Sequence, residues 1–260
     1  MKSSSREMVS TLSVGFLAHI CPFRKLYGLF CIVVLVVFPL LTAATIYASP
    51  VEEHHYLKKT GDKVIDFDWH LRSGEDLELT TTLGEERDVT RMRTDFSTHT
   101  WSVDDPATET AIDVVRKGNT IIFKGIFKGK EYHQTVAIDS APWYQALSLS
   151  LRQFVDADRQ HLEFWSIRPD TLDIHRLQVN RVAEEELEFA GIDQKLIKLK
   201  IQLTGLKAHF WSCYYWLRES DGVFLRYEGP SGPPGWPMTT VELIVPPRQA
   251  RVGDEQIMGQ

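Results

Sequence analysis

The sequence contains too few cysteines to form a disulfide scaffold. It has three in 260 residues, and only Cys213 lies beyond residue 48. Catalytic motifs such as GxSxG, HExxH, CxxC and a phosphate-binding glycine loop are also absent beyond that point. Stability must therefore come from buried apolar side chains. We predict a protein that is not an enzyme and has no cofactor.

A metal site has little support in the sequence. Asp66, Asp68 and His70 are the best candidates, because they share one face of a predicted strand. Neighbours on one face of a strand are about 6–7 Å apart, which is too wide for a compact site unless another strand contributes. We therefore predict a solvated polar face here and no bound metal.

Charge is missing from one long segment near the N-terminus. Leu26 to Ala48 contains no charged residue and follows Arg24 and Lys25. It is long enough to span a bilayer core, yet Pro39 and the small residues after it also fit a cleaved secretory signal. Residues 1–48 are therefore expected to be a signal peptide or an N-terminal membrane anchor. Either places the remainder of the chain in the periplasm or cell envelope.

The exported part is acidic. Beyond residue 48 there are 25 basic and 34 acidic residues, a net charge of −9. Nucleic acids and anionic membrane surfaces are held mainly by an excess of Lys and Arg. This balance argues against a nucleic-acid partner and against an electrostatic hold on anionic lipid.

Alternation of apolar and polar residues predicts strands over most of the exported part. VIDFDWHLR and DLELTTTLG have a period of two and form a predicted hairpin. Turn signals at Gly118-Asn119 and Lys128-Gly129 separate three β-branched runs and predict a meander. The pattern gives about ten to twelve strands, whereas EEHHYLKKTGD before them is expected to be loose.

One helix is predicted among these strands. Ser140 can cap it and Pro142 fits its first turn. Four apolar residues recur at helical spacing: Trp143, Leu147, Leu151 and Phe154. The chain is therefore predicted to be mainly β, an antiparallel curled sheet or half-barrel with one amphipathic helix. Residues 49–245 would form this single domain and residues 246–260 a disordered tail.

The stretch from His209 to Gly229 is rich in aromatic residues. A bulged turn at Gly222 would pair Tyr215 with Tyr227 and Leu217 with Leu225 on one core face, which also carries Cys213 and Val223. The opposite face would place Arg226 across from Trp216 and Arg218 across from Phe224. We predict that this face is either a packing surface or a ligand-binding shelf, formed by Tyr214, Trp216, Arg218, Phe224 and Arg226.

The loop GPSGPPGWPM, from Gly229 to Met238, is stiff because of its proline content. It either bridges two strands or presents Trp236 as a lid. The second alternative adds Trp236 to the candidate ligand-binding residues.

Three segments carry a resemblance to a known family. PWYQALSLSLRQF, EFWSIRP and YYWLRESDGVFLRYEGPSGPPGWPMTTVEL together resemble a family of exported β proteins known only as a domain of unknown function. The likeness covers about residues 60–245 and is one of pattern. It implies an antiparallel half-barrel, related in shape to periplasmic carriers of lipoproteins, without established catalysis.

These observations favour a binding protein of the envelope. The leading hypothesis is that a lipid or lipoprotein-like ligand lies in the concave face of the curled sheet. The alternative is a structural or interaction protein whose aromatic face docks on an envelope partner. A hydrolase is the third reading, and the missing motifs argue against it.

Overall fold

The computed structural model describes residues 51–156, 158–189, 192–205, 208, 211–231 and 236–244. The predicted signal or anchor and the predicted C-terminal tail lie outside these residues. Within them, 14 strands form one antiparallel sheet. Their bounds are β1 Val51–Thr60, β2 Lys63–Ser73, β3 Leu77–Leu83, β4 Glu86–Met92, β5 Thr98–Asp105, β6 Thr110–Lys117, β7 Thr120–Phe127, β8 Lys130–Ala137, β9 His161–Ile167, β10 Ile174–Phe189, β11 Ile192–Leu203, β12 Ser212–Arg218, β13 Phe224–Pro230 and β14 Met238–Leu243.

The sheet consists of two meanders joined in the middle. Strands β1 to β8 follow one another on one side, strands β14 to β9 on the other, and β1 pairs with β14. Strands β8 and β9 are the two edges, so the sheet is curled but not closed into a barrel. The predicted fold class, the β2–β3 hairpin and the β6–β8 meander are confirmed.

Because the strands are antiparallel, their connections alternate between two ends of the sheet. The connections after β1, β3, β9, β11 and β13 lie at one end, which we call the mouth end. Those after β2, β4, β10 and β12 lie at the other, which we call the helix end. The first described residue, Val51, pairs with Arg72 and lies at the helix end.

The segment predicted to be loose is strand β1. Its Tyr56 is fully buried and its hydroxyl donates a hydrogen bond to the carbonyl oxygen of Phe224 at 2.9 Å. The prediction was wrong because only alternate residues of this strand face the interior, and most of those are polar.

The single helix is confirmed, but it is shorter than predicted. Helix α1 is Leu147–Ser150 and continues as a 3-10 turn over Leu151–Val155. The predicted cap at Ser140 and first turn at Pro142 are wrong. No residue of the described chain lies in a helix that is both long and apolar enough to cross a membrane.

Residues 139–146 are not helical, because neighbouring strands use the backbone groups of residues 142–144. Trp143 forms a parallel bridge with Trp165 of β9, and the amide of Trp165 donates to the carbonyl oxygen of Pro142 at 2.8 Å. On the other side, the amide of Thr98 donates to the carbonyl oxygen of Trp143 at 2.8 Å. This segment therefore connects the start of β5 to the edge strand β9 across the gap in the sheet.

The helix fills the concave face only at the helix end. Leu149, Leu151 and Phe154 are fully buried there among side chains from both meanders, including Trp69 and Leu217. A second cluster packs the inner side chains of β5–β7 against Trp143 and residues near the end of β9. The remainder of the concave face, toward the mouth end, is not filled by these clusters.

Candidate functional site

The unfilled part of the concave face is a cavity of about 940 Å³. Its floor is the start of α1, and it is lined by residues near the turns of the mouth end, such as Thr60 and Ser231. The apolar part of its wall is formed by Phe67, Leu79, Leu177, Tyr215, Phe224 and Val241.

The cavity follows from a change of side-chain size along the strands. Inward-facing residues are large at the helix end and smaller toward the mouth end. The large residue is followed toward the mouth by a threonine on four strands: Tyr56 and then Thr60 on β1, Leu79 and then Thr81 on β3, Met92 and then Thr90 on β4, and Leu243 and then Thr239 on β14. Protein interiors are normally close-packed. Short side chains on a curved sheet leave space that nothing in the described chain fills.

A partly buried charge pair holds the helical segment in place. Arg152 donates two hydrogen bonds to the carboxylate of Glu52, at 2.5 and 2.8 Å, and its guanidinium lies 5.3 Å from the ring centroid of Trp69. Burial alone would raise the pKa of Glu52, but the hydrogen bonds from Arg152 and His54 lower it to about 2. The carboxylate is therefore ionised at neutral pH, and the contact ties the helical segment to β1.

Asp88 lies in the cavity wall on β4. The indole Nε1 of Trp101 donates a hydrogen bond to its Oδ1 at 2.7 Å. Burial, reinforced by the charge of Glu86, raises the pKa of Asp88 to about 7 despite this hydrogen bond. Near neutral pH the carboxyl group is thus only partly ionised, and the wall carries less negative charge than its composition indicates.

The residues predicted from the aromatic stretch lie on two different faces. Phe224 is on the concave face and lines the cavity. Tyr214, Trp216 and Arg226 do not line it and lie on the convex face. Arg218 is at the end of β12, where it donates a hydrogen bond to Asp221 at 2.8 Å. A ligand-binding role for these residues stays a prediction.

Trp236 lies in the connection between β13 and β14, at the mouth end. Its exposure is 55%. Ser231 and Thr239, on either side of it in sequence, line the cavity. Trp236 is therefore near the opening, and its role as a lid stays a prediction.

The register of the β12–β13 hairpin differs in part from the predicted one. The pairs of Tyr215 with Tyr227 and of Trp216 with Arg226 are confirmed. Leu217 faces Phe224 instead of Leu225, because the bulge makes Leu225 the extra residue. Val223 and Leu225 therefore join the convex face, Phe224 joins the core face, and Arg218 is not opposite Phe224.

The convex face carries a cluster of one indole, two cations and one carboxylate that contact one another. Trp216 is only 5% exposed, and its Nε1 donates to Glu185 at 2.7 Å. Lys198 binds the same carboxylate at 2.9 Å and lies 4.9 Å from the indole centroid, while Arg226 lies 5.3 Å from it. Hydrogen bonds from Lys198 and Trp216 lower the pKa of Glu185. We call these four residues the convex cluster.

The candidate metal ligands are also occupied by protein contacts. His55 lies 2.8 Å from Asp68 and 3.3 Å from Asp66, and His70 lies 3.5 Å from Glu53. Among the residues that the structure describes, no group of three or more His, Cys, Asp or Glu side chains could hold a metal ion.

Sequence reasoning missed the lining residues of β1 and β4. The signal was present in β1, where Tyr56, Lys58 and Thr60 alternate before the turn at Gly61. The strand was missed because polar residues at inward-facing positions give the same sequence pattern as a solvent-exposed loop.

Comparison with known proteins gives a fold and no family. No family model and no curated protein matches the sequence. A solved structure, the β-barrel-like protein of the domain of unknown function DUF1849 from Brucella abortus, matches with a TM-score of 0.52 and 9% identity. The match covers 76% of this chain and 97% of that one.

Weaker matches include the hypothetical lipoprotein YmcC from Escherichia coli, with a TM-score of 0.37, 10% identity and coverage of 82% and 97% of the two chains. A LolA superfamily protein from Nitrosomonas europaea matches with a TM-score of 0.27 and 10% identity, and the match covers 77% of this chain and 86% of that one. The predicted resemblance to half-barrel proteins of unknown function is confirmed. At these identities it establishes the fold alone.

Proposed function

We propose that this chain is an envelope protein that binds an apolar or amphipathic molecule, such as a lipid or a lipoprotein-like ligand, in its concave cavity. The cavity is the observation on which the proposal rests: about 940 Å³ of unfilled space with a largely apolar lining. Small-molecule sites typically measure about 300–1,000 Å³ and are mainly apolar. The size and chemistry of this space therefore match a bound ligand.

The distribution of polarity supports an amphipathic ligand. Phe67, Leu79 and Phe224 provide apolar lining deep in the cavity, whereas the amino groups of Lys58 and Lys63 lie nearer the mouth, where Leu203 and Trp211 add apolar surface. Burial of apolar surface contributes about 25 cal/mol per Å², so a hydrocarbon chain gains most near the floor. A polar headgroup would remain near solvent at the mouth.

Location and domain organisation are part of the same proposal. Residues 1–48 would direct or anchor the chain, residues 49–245 would form the binding domain, and residues 246–260 would take no part. Export would place the cavity in the compartment where envelope lipids are transferred.

The test fills the cavity by a single substitution. Ile65 lines the cavity, whereas its neighbour Val64 is 52% exposed on the other face of β2. The wild type, Ile65→Trp and Val64→Trp are extracted gently from the envelope and their intact noncovalent masses are recorded. We expect an added lipid mass on the wild type and Val64→Trp, and its loss from Ile65→Trp. An unoccupied wild type, or equal occupancy in all three, would refute the proposal.

The second candidate is an interaction surface outside the cavity. Its support is the exposed apolar pair Trp236 and Met238, at 55% and 51%. Under this alternative an envelope partner would be recovered by crosslinking in whole cells at a fixed ratio. Arg226→Gln distinguishes a ligand shelf on the convex face, since this half-exposed residue can be changed with little loss of stability and only such a shelf would lose its ligand in that variant.

A further inference from the structure

The charged residues that line the cavity are concentrated near its mouth. Lys58 on β1 and Lys63 on β2 lie on either side of the turn at Gly61, and Arg168 and Asp170 belong to the connection after β9. On β2 the apolar lining begins at Ile65, which lies two residues deeper than Lys63 and pairs with Lys58. The charged groups are therefore placed where a headgroup would be.

Two of these charges are neutralised by each other. Arg168 donates hydrogen bonds to both carboxylate oxygens of Asp170, at 2.6 and 2.7 Å. Such bidentate pairs fix the geometry of both groups. Neither group is free to offer a net charge to a ligand.

The two lysines have no such partner. Among the described residues, no carboxylate oxygen lies within 4.0 Å of the amino group of Lys58 or Lys63, and no hydrogen bond from either is formed. Glu86 is near enough for Lys58 to influence it, yet burial and the charge of Asp105 dominate and raise the pKa of Glu86. Lys58 is half-buried, and an unpaired amine in a part-buried position gains strongly from an anion.

The surroundings make this positive pair distinctive. The exported part has a net charge of −9, so an anion is repelled by most of the surface. Apart from the paired Asp170, the acidic group in the lining is Asp88, whose pKa of about 7 reduces its charge near neutral pH. Among the lining residues near the mouth, the unpaired charges are therefore those of Lys58 and Lys63.

We propose that the cavity selects amphiphiles with an anionic headgroup, whose oxygens are bound by Lys58 and Lys63 while the hydrocarbon chain lies against the apolar floor. This inference rests on the proposed function. A carboxylate or a phosphodiester would present the same negatively charged acceptors to the two amino groups, each of which can donate up to three hydrogen bonds.

The test compares headgroups on one hydrocarbon chain. The full-length protein is equilibrated with palmitate or with the 1-palmitoyl lyso form of phosphatidylglycerol or phosphatidylcholine, so that each lipid carries one palmitoyl chain, and bound lipid is measured by native mass spectrometry. We expect the anionic lipids to bind about tenfold more tightly than phosphatidylcholine. If only palmitate binds more tightly than phosphatidylcholine, the ligand carries a carboxylate. If only phosphatidylglycerol does so, the ligand carries a phosphodiester.

Two matched pairs of substitutions distinguish the effect of the two lysines in the cavity from the effect of the total charge of the protein. Lys58→Gln with Lys63→Gln removes the positive pair, whereas Lys59→Gln with Lys124→Gln removes the same charge from exposed residues outside the cavity. We expect the first pair to abolish the preference and leave phosphatidylcholine binding unchanged, and the second to preserve it. If the wild type binds all three lipids equally, or if both pairs of substitutions have equal effects, this inference is overturned while the proposed function stands. Binding of no lipid would overturn the proposed function with it.

Discussion

Strands β12 and β13 carry aromatic residues on both faces, and the two faces differ in what surrounds them. On the convex face, Trp216 is covered by Lys198 and Arg226 and hydrogen-bonded to Glu185. On the concave face, Tyr215 and Phe224 pack together with ring centroids 5.5 Å apart, and both line open space. The convex aromatic side chain has its partners, and the concave ones border a cavity.

The difference shows why aromatic density alone is a weak indicator of a binding site. An arginine or lysine beside an indole stabilises it without any ligand, and such contacts cover the convex cluster. A site requires groups that the protein itself leaves unsatisfied. Here these are the apolar walls of the cavity and the two lysines at its mouth.

The largest effect is expected on the convex face, where the cluster should contribute strongly to the stability of the protein. Trp216→Ala should lower the free energy of unfolding by about 3–5 kcal/mol, because it removes a buried indole and leaves Glu185 with one donor fewer. Urea denaturation measures the change. Tyr214→Ala, on the same face but half-buried, should cost clearly less. A loss from Trp216→Ala no larger than that of Tyr214→Ala would show that the cluster is not a packed unit.

A somewhat smaller effect is expected at the helix end of the concave face. Arg152→Ala should lower the free energy of unfolding at neutral pH by about 1.5–3 kcal/mol, since it removes the charged hydrogen bonds to Glu52. The pKa of Glu52 is about 2 in the folded protein and 4.5 ordinarily. Its stabilising contribution is therefore present above pH 4.5 and lost as the pH falls toward 2.

Unfolding curves at neutral and acidic pH measure this contribution. The variant should lose less stability on acidification than the wild type. Arg159→Ala, which changes an exposed arginine after the helical segment, should leave the acid response of the wild type intact. Identical acid responses of Arg152→Ala and the wild type would contradict the assignment.

The cavity wall should show the opposite pH dependence. The pKa of Asp88 is about 7 in the folded protein and 3.8 ordinarily, so its ionisation costs stability as the pH rises through 7. Asp88→Asn should raise the Tm relative to the wild type in alkaline buffer and leave it nearly unchanged in acid. Thermal unfolding followed by circular dichroism checks this. Asp104→Asn, at an exposed position, is the control, and a pH-independent difference for Asp88→Asn would contradict the prediction.

The smallest effect is expected at the edge of the convex cluster. Arg226 pairs with Glu228 at 3.2 Å, and both side chains are about 40% exposed. Half-exposed ion pairs contribute at most about 1 kcal/mol, so Arg226→Gln should change the free energy of unfolding by less than that. A loss comparable to that of Trp216→Ala would show that the cation is an essential part of the cluster.

Much of the fold was predictable because period-two patterns report burial directly. The β2–β3 hairpin and the β6–β8 meander follow from such patterns and from glycine turns. The helix boundaries were not predictable in this way. Trp143 continues a helical spacing in sequence, but its backbone is taken by Thr98 and β9, and that competition depends on tertiary contacts.

The candidate site was less predictable than the fold. Tyr214 and Trp216 drew attention as aromatics, whereas the cavity depends on residues that are small or charged, such as Thr81, Asp88 and Lys58. A single bulge also moved Phe224 from the predicted shelf to the cavity wall. Sequence patterns indicate which side chains are large, but an unfilled space appears only when the strands are brought together.

The order of the strands also bears on how the chain folds. Apart from the edge strands β8 and β9, described strands that are consecutive in sequence pair with each other, and the one strand pairing between distant segments is that of β1 with β14, where Tyr56 lies opposite Leu243. Pairing of neighbouring strands closes short loops, whereas joining the two meanders closes almost the whole described chain and is slow for entropic reasons. Until that step, β1 and β14 are exposed edges able to pair with other chains. The central seam that creates the concave face is thus also the point at which an unfinished chain is most open to misassembly.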